Sequence, residues 1–110
     1  AAHLNKPRGG MGMNGGSHDA VNVTEKLEAV WHGADLSAMG RYERQRRKVA
    51  LETVQAQALR NRQILNTTDP EERRRYHDEL RATVADPVRH KAYVMRSSMI
   101  QSLRDLEAVA

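Results

Sequence analysis

The sequence predicts an all-α chain in which a glycine-rich turn is followed by about four helices. Three observations support this fold class. Five of the seven glycines fall within residues 9–16, apolar residues beyond them recur at steps of three and four, and no segment alternates with a period of two. The many Ala, Arg and Glu residues also favour helix.

The first two helices follow the glycines directly. A helix is predicted over about residues 17–32, where Ser17 can cap the start and Gly33 can end it. Trp31 is expected to anchor this helix against the second, which is predicted over residues 37–65. The apolar faces of the two helices are expected to consist of Ala20, Val23, Leu27 and Val30 in the first, and Leu51, Val54, Ala58 and Leu65 in the second.

Two Asp-Pro pairs mark further helix starts. Asp69-Pro70 supplies a capping carboxylate and a proline at the first helical position, and Asp86-Pro87 repeats the arrangement. Helices are therefore predicted over residues 70–85 and 87–106. The chain divides into residues 1–36, the glycine turn with the first helix, and residues 37–110, the helical remainder.

The apolar composition predicts that the chain borrows part of its core. Leu, Ile, Val and Phe make up 20 of the 110 residues, about 18%, which is below the roughly 20% at which a chain begins to lack core-forming material. A partner is therefore expected. A homo-oligomer that pairs the apolar stripes of the last two helices is one such arrangement.

Composition also excludes several classes of protein. The absence of cysteine removes disulfides and thiolate chemistry and fits a reducing compartment. The five histidines show no metal-ligand spacing, so no metal site is predicted. No apolar run approaches the roughly 18 residues of a membrane span, and the first 16 residues contain no apolar leader segment. A cytoplasmic location is expected.

The charge balance leaves an alternative function open. With 18 Lys and Arg against 14 Asp and Glu, the net charge is +4, which would suit a basic helical module that binds nucleic acid or a partner protein. Acidic residues are interleaved with the arginines, however, as on the solvated face of a long helix, and so nucleic acid is the less favoured partner. The densest positive run consists of Arg41, Arg44, Arg46, Arg47 and Lys48.

The glycine turn, residues 7–16, is the segment with the most specific chemistry. It lacks the buried strand that precedes a dinucleotide fingerprint, and the Gly-Lys-Ser/Thr end of a phosphate loop. Glycines immediately before a helix nevertheless let backbone N–H groups approach an anion or a polarised carbonyl oxygen. The alternative is a flexible glycine linker, but linkers rarely contain residues such as Pro7, Met11 and Asn14.

The order of residues around this turn resembles the second flavin-binding motif of class A FAD-dependent aromatic monooxygenases, the para-hydroxybenzoate hydroxylase-like family. The matching residues are Ala1-Ala2-His3 and then Pro7-x-Gly9-Gly10-x-Gly12-x-Asn14-x-Gly16-x-x-Asp19-Ala20-x-Asn22. A later segment, Tyr42-Glu43-Arg44-Gln45-Arg46-Arg47, is similar to the Tyr-x-x-Glu-Arg-Arg-Pro helix start of the family. The Gly-Asp pair that opens the family motif is not in this sequence.

The resemblance identifies the chain as the carboxy-terminal portion of such an enzyme. It implies an FAD- and NAD(P)H-dependent monooxygenase that hydroxylates an aromatic, phenolic substrate through a flavin hydroperoxide. The missing amino-terminal FAD-binding domain would be the chief partner. The 110-residue chain alone is expected to be inactive and not to retain FAD.

The resemblance also implies which residues contact the cofactor. The backbone of Gly12, Met13 and Asn14 would face the pyrimidine edge of the flavin and favour its anionic reduced form. Asp19 is expected to cap or order the first helical turn, and no catalytic side chain is predicted. The full set of predicted cofactor-binding residues is Pro7, Gly9, Gly10, Gly12, Met13 and Asn14.

Overall fold

The computed structural model describes residues 9–110, and within that range the chain is helical and contains no strand. The predicted all-α class is confirmed. The elements are α1 (Met11–Trp31), α2 (Ser37–Val49), a π-helical segment (Ala50–Gln55), α3 (Ala56–Asn66), α4 (Pro70–Ala85), α5 (Pro87–Ser97) and α6 (Ile100–Glu107).

Helix α1 begins at Met11 rather than near residue 17, so most of the glycine segment is helical. The turn is confined to Gly9 and Gly10, whose φ angles of 105° and 66° are left-handed values that glycine adopts without steric cost. Ser17, expected as a cap, lies inside the helix and its hydroxyl donates to the Met13 carbonyl at 3.1 Å. Glycine-rich sequence alone therefore overestimated the length of the turn.

The long helix predicted over residues 37–65 is present as a continuous helical run that widens into a π-helix in its middle. Val49 and Ala56, which flank the π-helical segment, keep right-handed helical backbone, so α2 and α3 continue each other. The run starts beside Asp35, whose carboxylate accepts the Ser37 backbone N–H at 2.7 Å. That hydrogen bond lowers the pKa of Asp35 below its usual value.

Both Asp-Pro helix starts form as predicted. The Asp69 carboxylate accepts the Glu71 backbone N–H at 3.0 Å, and the Asp86 carboxylate accepts the Val88 N–H at 2.9 Å. Each proline takes the first helical position, where the missing N–H costs no hydrogen bond. Local capping chemistry is sufficient to place these two starts.

The helix predicted over residues 87–106 is broken into α5 and α6. The break lies at Met99, which has a left-handed backbone with φ of 63° and is only 1% exposed. This conformation is sterically unfavourable for any residue other than glycine. The turn nevertheless brings α6 against both α2 and α5, and the burial of Met99 and Leu106 offsets the backbone strain.

The core of the described residues is small and partly polar. Helix α1 packs on α2, and α2 packs on α6. The composition predicted a shortage of core-forming side chains, and many large apolar residues are indeed exposed. The buried residues are the apolar Met11, Val49, Met99 and Leu106 and the polar Asp19, Asn22, Gln45, Arg46 and Ser102.

The face that α1 turns toward α2 is not its apolar one. Asp19 and Asn22 are buried, whereas Leu27 is 53% exposed and Trp31 is 87% exposed. The expectation that Trp31 anchors α1 against α2 is therefore wrong. Helix α1 is rotated from the expected orientation because α2 presents polar partners, Gln45 and Arg46, that hydrogen-bond to Asn22 and Asp19 on the polar face of α1. Along the described part of the chain, no helix has both the length and the apolar character that crossing a bilayer requires.

Candidate cofactor-facing site

The amino terminus of α1 presents uncapped backbone donors. Gly10 occupies the N-cap position, where no side chain accepts a hydrogen bond, and the first turn contains no acidic residue. The first N–H groups of a helix have no intrahelical acceptor, and they lie at the positive end of the helix dipole. Gly12 and Met13 lie within this first turn, so their N–H groups can be offered to an external acceptor.

Within residues 9–110, the space beside this turn is largely open. A Cβ atom added at Gly10, Gly15 or Gly16 would meet no described atom within 4 Å other than chain neighbours and the backbone of α1. At Gly9, by contrast, a Cβ atom would come within 2.9 Å of the Asn61 side-chain nitrogen, because the turn passes close to α3 there. Open space beside uncapped donors fits a flat group that carries carbonyl oxygens or a negative charge along its edge.

The structure brings most of the predicted cofactor-binding residues to one place. Gly9 and Gly10 form the turn, and Gly12, Met13 and Asn14 follow in the first turns of α1. Pro7 lies outside the described residues. The contact of these residues with a cofactor stays a prediction. In a regular helix the Asn14 N–H donates to the Gly10 carbonyl, so this N–H is used within the helix.

A buried ion pair, which sequence reasoning missed, joins α1 to α2. The Arg46 guanidinium pairs with the Asp19 carboxylate, and the two side chains are only 4% and 11% exposed. The Nη2 atom of Arg46 also donates to the Gly15 carbonyl at 3.3 Å. Asp19, expected to cap or order the first turn, instead anchors α1 from the side. Both residues lie in the motifs that support the family resemblance, but spacing in the sequence does not show that they pair.

Gln45 extends this polar contact to α6. Its Oε1 accepts from Asn22 Nδ2 at 3.2 Å, and its Nε2 donates to the Leu106 carbonyl at 2.9 Å. Gln45 is 2% exposed, so these hydrogen bonds satisfy side-chain atoms that water cannot reach. We refer to Asp19, Asn22, Gln45 and Arg46 together as the polar clasp.

Most residues of the positive run on α2 make hydrogen bonds or ion pairs within the chain. Arg41 and Arg44 donate to the carbonyls of Val109 and Ala110, each at 3.1 Å, near the negative end of α6. Arg46 belongs to the polar clasp, and Lys48 pairs with Glu52 at 2.8 Å. Hydrogen bonding to Glu52 raises the pKa of Lys48. These contacts favour a structural role for the run over the alternative of nucleic-acid binding.

Comparison with known proteins finds a matching family and similar enzymes. A family model described as an FAD binding domain matches residues 1–57. The chain is 36% identical over 108 residues to the para-nitrophenol 4-monooxygenase of Pseudomonas sp. (strain WBC-3), covering 97% of this chain and 25% of the relative. It is 36% identical over 81 residues to the rifampicin monooxygenase of Rhodococcus hoagii, covering 73% of this chain and 17% of that relative. No solved structure matches the chain.

The turn, α1, α2 and the polar clasp therefore lie within a region that matches an FAD-binding domain. The chain belongs to the family of class A FAD-dependent aromatic monooxygenases, in which FAD is the cofactor. It spans a quarter or less of the length of the two curated relatives described above.

Proposed function

We propose that this chain forms the carboxy-terminal, flavin-side portion of an FAD- and NAD(P)H-dependent monooxygenase that hydroxylates an aromatic, phenolic substrate. The observation that carries the proposal is the uncapped, open amino terminus of α1, inside the region that matches an FAD binding domain. The name of one relative specifies para-nitrophenol, a phenol, which supports the substrate class.

In this proposal the chain contributes backbone electrostatics rather than a reacting side chain. The N–H groups of Gly12 and Met13 bind the polar edge of the flavin, and the helix dipole stabilises negative charge there. Gly9 and Gly10 allow the backbone to approach the ring closely. Pro7 and Asn14 are the remaining residues that we propose to contact the flavin. FAD, when bound, supplies the redox chemistry that takes a hydride from NAD(P)H and activates oxygen.

The proposed partner of the chain is the amino-terminal remainder of the FAD-binding domain. Met13, Leu27 and Trp31 on α1 are 81%, 53% and 87% exposed. Exposed apolar residues spaced along one helix commonly mark a surface that another element covers. We expect the chain alone to be inactive and not to retain FAD.

A homo-oligomer is a second proposed assembly. Val84 and Val88, at the end of α4 and the start of α5, are 63% and 78% exposed and can pack against a second copy of the chain.

Replacing Met13 by proline is expected to weaken FAD binding about threefold to tenfold, the equivalent of one hydrogen bond to a neutral carbonyl oxygen of the oxidised flavin. Proline removes the Met13 N–H but is tolerated in the first helical turn, and Gly12 before it has no Cβ to clash with the ring. The measurement is an FAD titration, followed by flavin fluorescence, of the protein that carries this chain with the rest of its FAD-binding domain. Met13→Leu keeps the N–H and is the control, with expected wild-type affinity. Equal affinities for the Pro and Leu variants would argue against the backbone contact.

Trp31 reports on the proposed domain partner, because it is the single tryptophan of the chain. When the chain is mixed with the rest of the FAD-binding domain, made without tryptophan, we expect the Trp31 emission to shift to shorter wavelength as the ring leaves water. Leu27→Glu should abolish the shift by placing a charge in the contact. Leu59→Glu, at a residue on α3 that is 60% exposed, is the matched control and should leave it unchanged. An unshifted emission in a mixture that binds FAD would show that α1 is not the contact surface.

A further inference from the structure

Arg46 contacts α1 at two points close to the turn. Its guanidinium pairs with the Asp19 carboxylate, and its Nη2 donates to the Gly15 carbonyl at 3.3 Å. Gly15 lies less than one helical turn after Gly12 and Met13. The side chain of Arg46 is only 4% exposed, so contacts with the surrounding helices fix its position.

Among the described residues, the segment that Arg46 contacts has few other contacts with the neighbouring helices. Met11 buries its side chain at the start of α1. Gly15 and Gly16 have no side chains, and no described atom other than their chain neighbours and the backbone of α1 lies within 4 Å of the positions that their Cβ atoms would occupy. Met13 is 81% exposed and adds little packing. The hydrogen bond from Arg46 to the Gly15 carbonyl therefore ties this part of α1 directly to α2.

We propose that Arg46 is a positioning residue, which fixes the direction of the α1 amino terminus and so aligns the Gly12 and Met13 N–H groups with the flavin. This inference rests on the proposed function. The chemistry requires arginine because its planar guanidinium donates to two separate acceptors at once, the Asp19 carboxylate and the Gly15 carbonyl. A lysine at this position would keep the charge and the pairing with Asp19 but would lose the second, oriented contact.

The test is Arg46→Lys in the protein that carries this chain with the rest of its FAD-binding domain, loaded with FAD. We expect the dissociation constant for FAD to rise about threefold to tenfold, because the misdirected Gly12 and Met13 N–H groups lose the equivalent of one hydrogen bond to the flavin. The midpoint potential of the flavin should fall, because misdirected N–H groups stabilise the anionic reduced form less well. The thermal unfolding temperature of the FAD-free protein should fall less than in an Asp19→Ala variant, because lysine keeps a positive charge that can pair with Asp19.

Two further variants make the test specific. Arg47→Lys changes the neighbouring arginine, which is exposed, and should leave affinity and potential unchanged. Asp19→Asn removes the negative charge but leaves an oxygen acceptor for Arg46 and the Gly15 contact in place. It should therefore keep FAD affinity within about twofold and raise the potential, through the uncompensated positive charge. Opposite shifts of the potential in the Asp19 and Arg46 variants would separate positioning from a general loosening of the fold.

The inference is overturned if Arg46→Lys matches the wild type in both affinity and potential. It is also overturned if this variant lowers the unfolding temperature and leaves the potential unmoved, or if Asp19→Asn weakens FAD binding as much as Arg46→Lys does. A wild-type protein and an Arg47→Lys variant that both bind no FAD would overturn the proposed function itself, and this inference with it.

Discussion

Replacing Asp19 by alanine is expected to lower the free energy of unfolding by about 3–5 kcal/mol, because the buried Arg46 guanidinium is left without its counter-charge. Both side chains are almost fully shielded from water, at 11% and 4% exposure, so solvent cannot compensate for the lost carboxylate. The loss is large against the roughly 5–15 kcal/mol that stabilise ordinary domains. Urea unfolding followed by circular dichroism measures it.

Two comparisons identify the cause of this destabilisation. Asp19→Leu combined with Arg46→Met removes both charges, and the double variant should be much closer in stability to the wild type than Asp19→Ala. Glu79→Ala removes the partner of Arg60 from an ion pair whose side chains are about half exposed. This second change should cost no more than about 1 kcal/mol. If Asp19→Ala and Glu79→Ala had equal effects, the Asp19–Arg46 pair would not be the buried contact described above.

At Met99, glycine is expected to be better tolerated than alanine. Met99→Ala should cost about 2–5 kcal/mol, because a fully buried side chain is truncated. Met99→Gly loses the same contacts but relieves the left-handed backbone, and so we expect it to be more stable than the alanine variant by about 0.5–1 kcal/mol. The urea midpoints of the two variants test this order.

Met95, one turn earlier in α5 and half-buried, is the matched control for Met99. At this ordinary helical position, alanine should be more stable than glycine by about 1 kcal/mol. The order of alanine and glycine should therefore reverse between the two methionines. An alanine variant more stable than the glycine variant at both positions would mean that the Met99 backbone is not strained.

The parts of the fold that depend on neighbouring residues were predictable. Asp69-Pro70 and Asp86-Pro87 place two helix starts, because capping is a contact between residues two or three apart. The helical run from α2 to α3 follows from the long stretch after Gly40, residues 41–66, which contains neither glycine nor proline. The glycine turn was located correctly, although the helix begins earlier than the glycines suggested, since only Gly9 and Gly10 have left-handed backbone at that turn.

The contacts between distant residues were not predictable from pattern. Apolar periodicity pointed to Ala20, Val23, Leu27 and Val30 as the buried face of α1, but the polar clasp turns the adjacent polar face inward. Periodicity reports where apolar residues lie, and it does not report which surface is available to cover them. The break at Met99 has the same origin, because a helix-compatible sequence adopts strained backbone when the turn buries Met99 and Leu106.

For this protein the sequence by itself determined the helical class, the two capped starts, the glycine turn and, through its motifs, the flavin-dependent family. These properties depend on local backbone preferences and on the order of residues. Only the tertiary structure decided that Asp19 pairs with Arg46, that Gln45 joins α1 to α6, and that Trp31 faces outward. The physical reason is that burial of a polar group requires a specific partner, and partners 27 or 61 residues apart are chosen by packing.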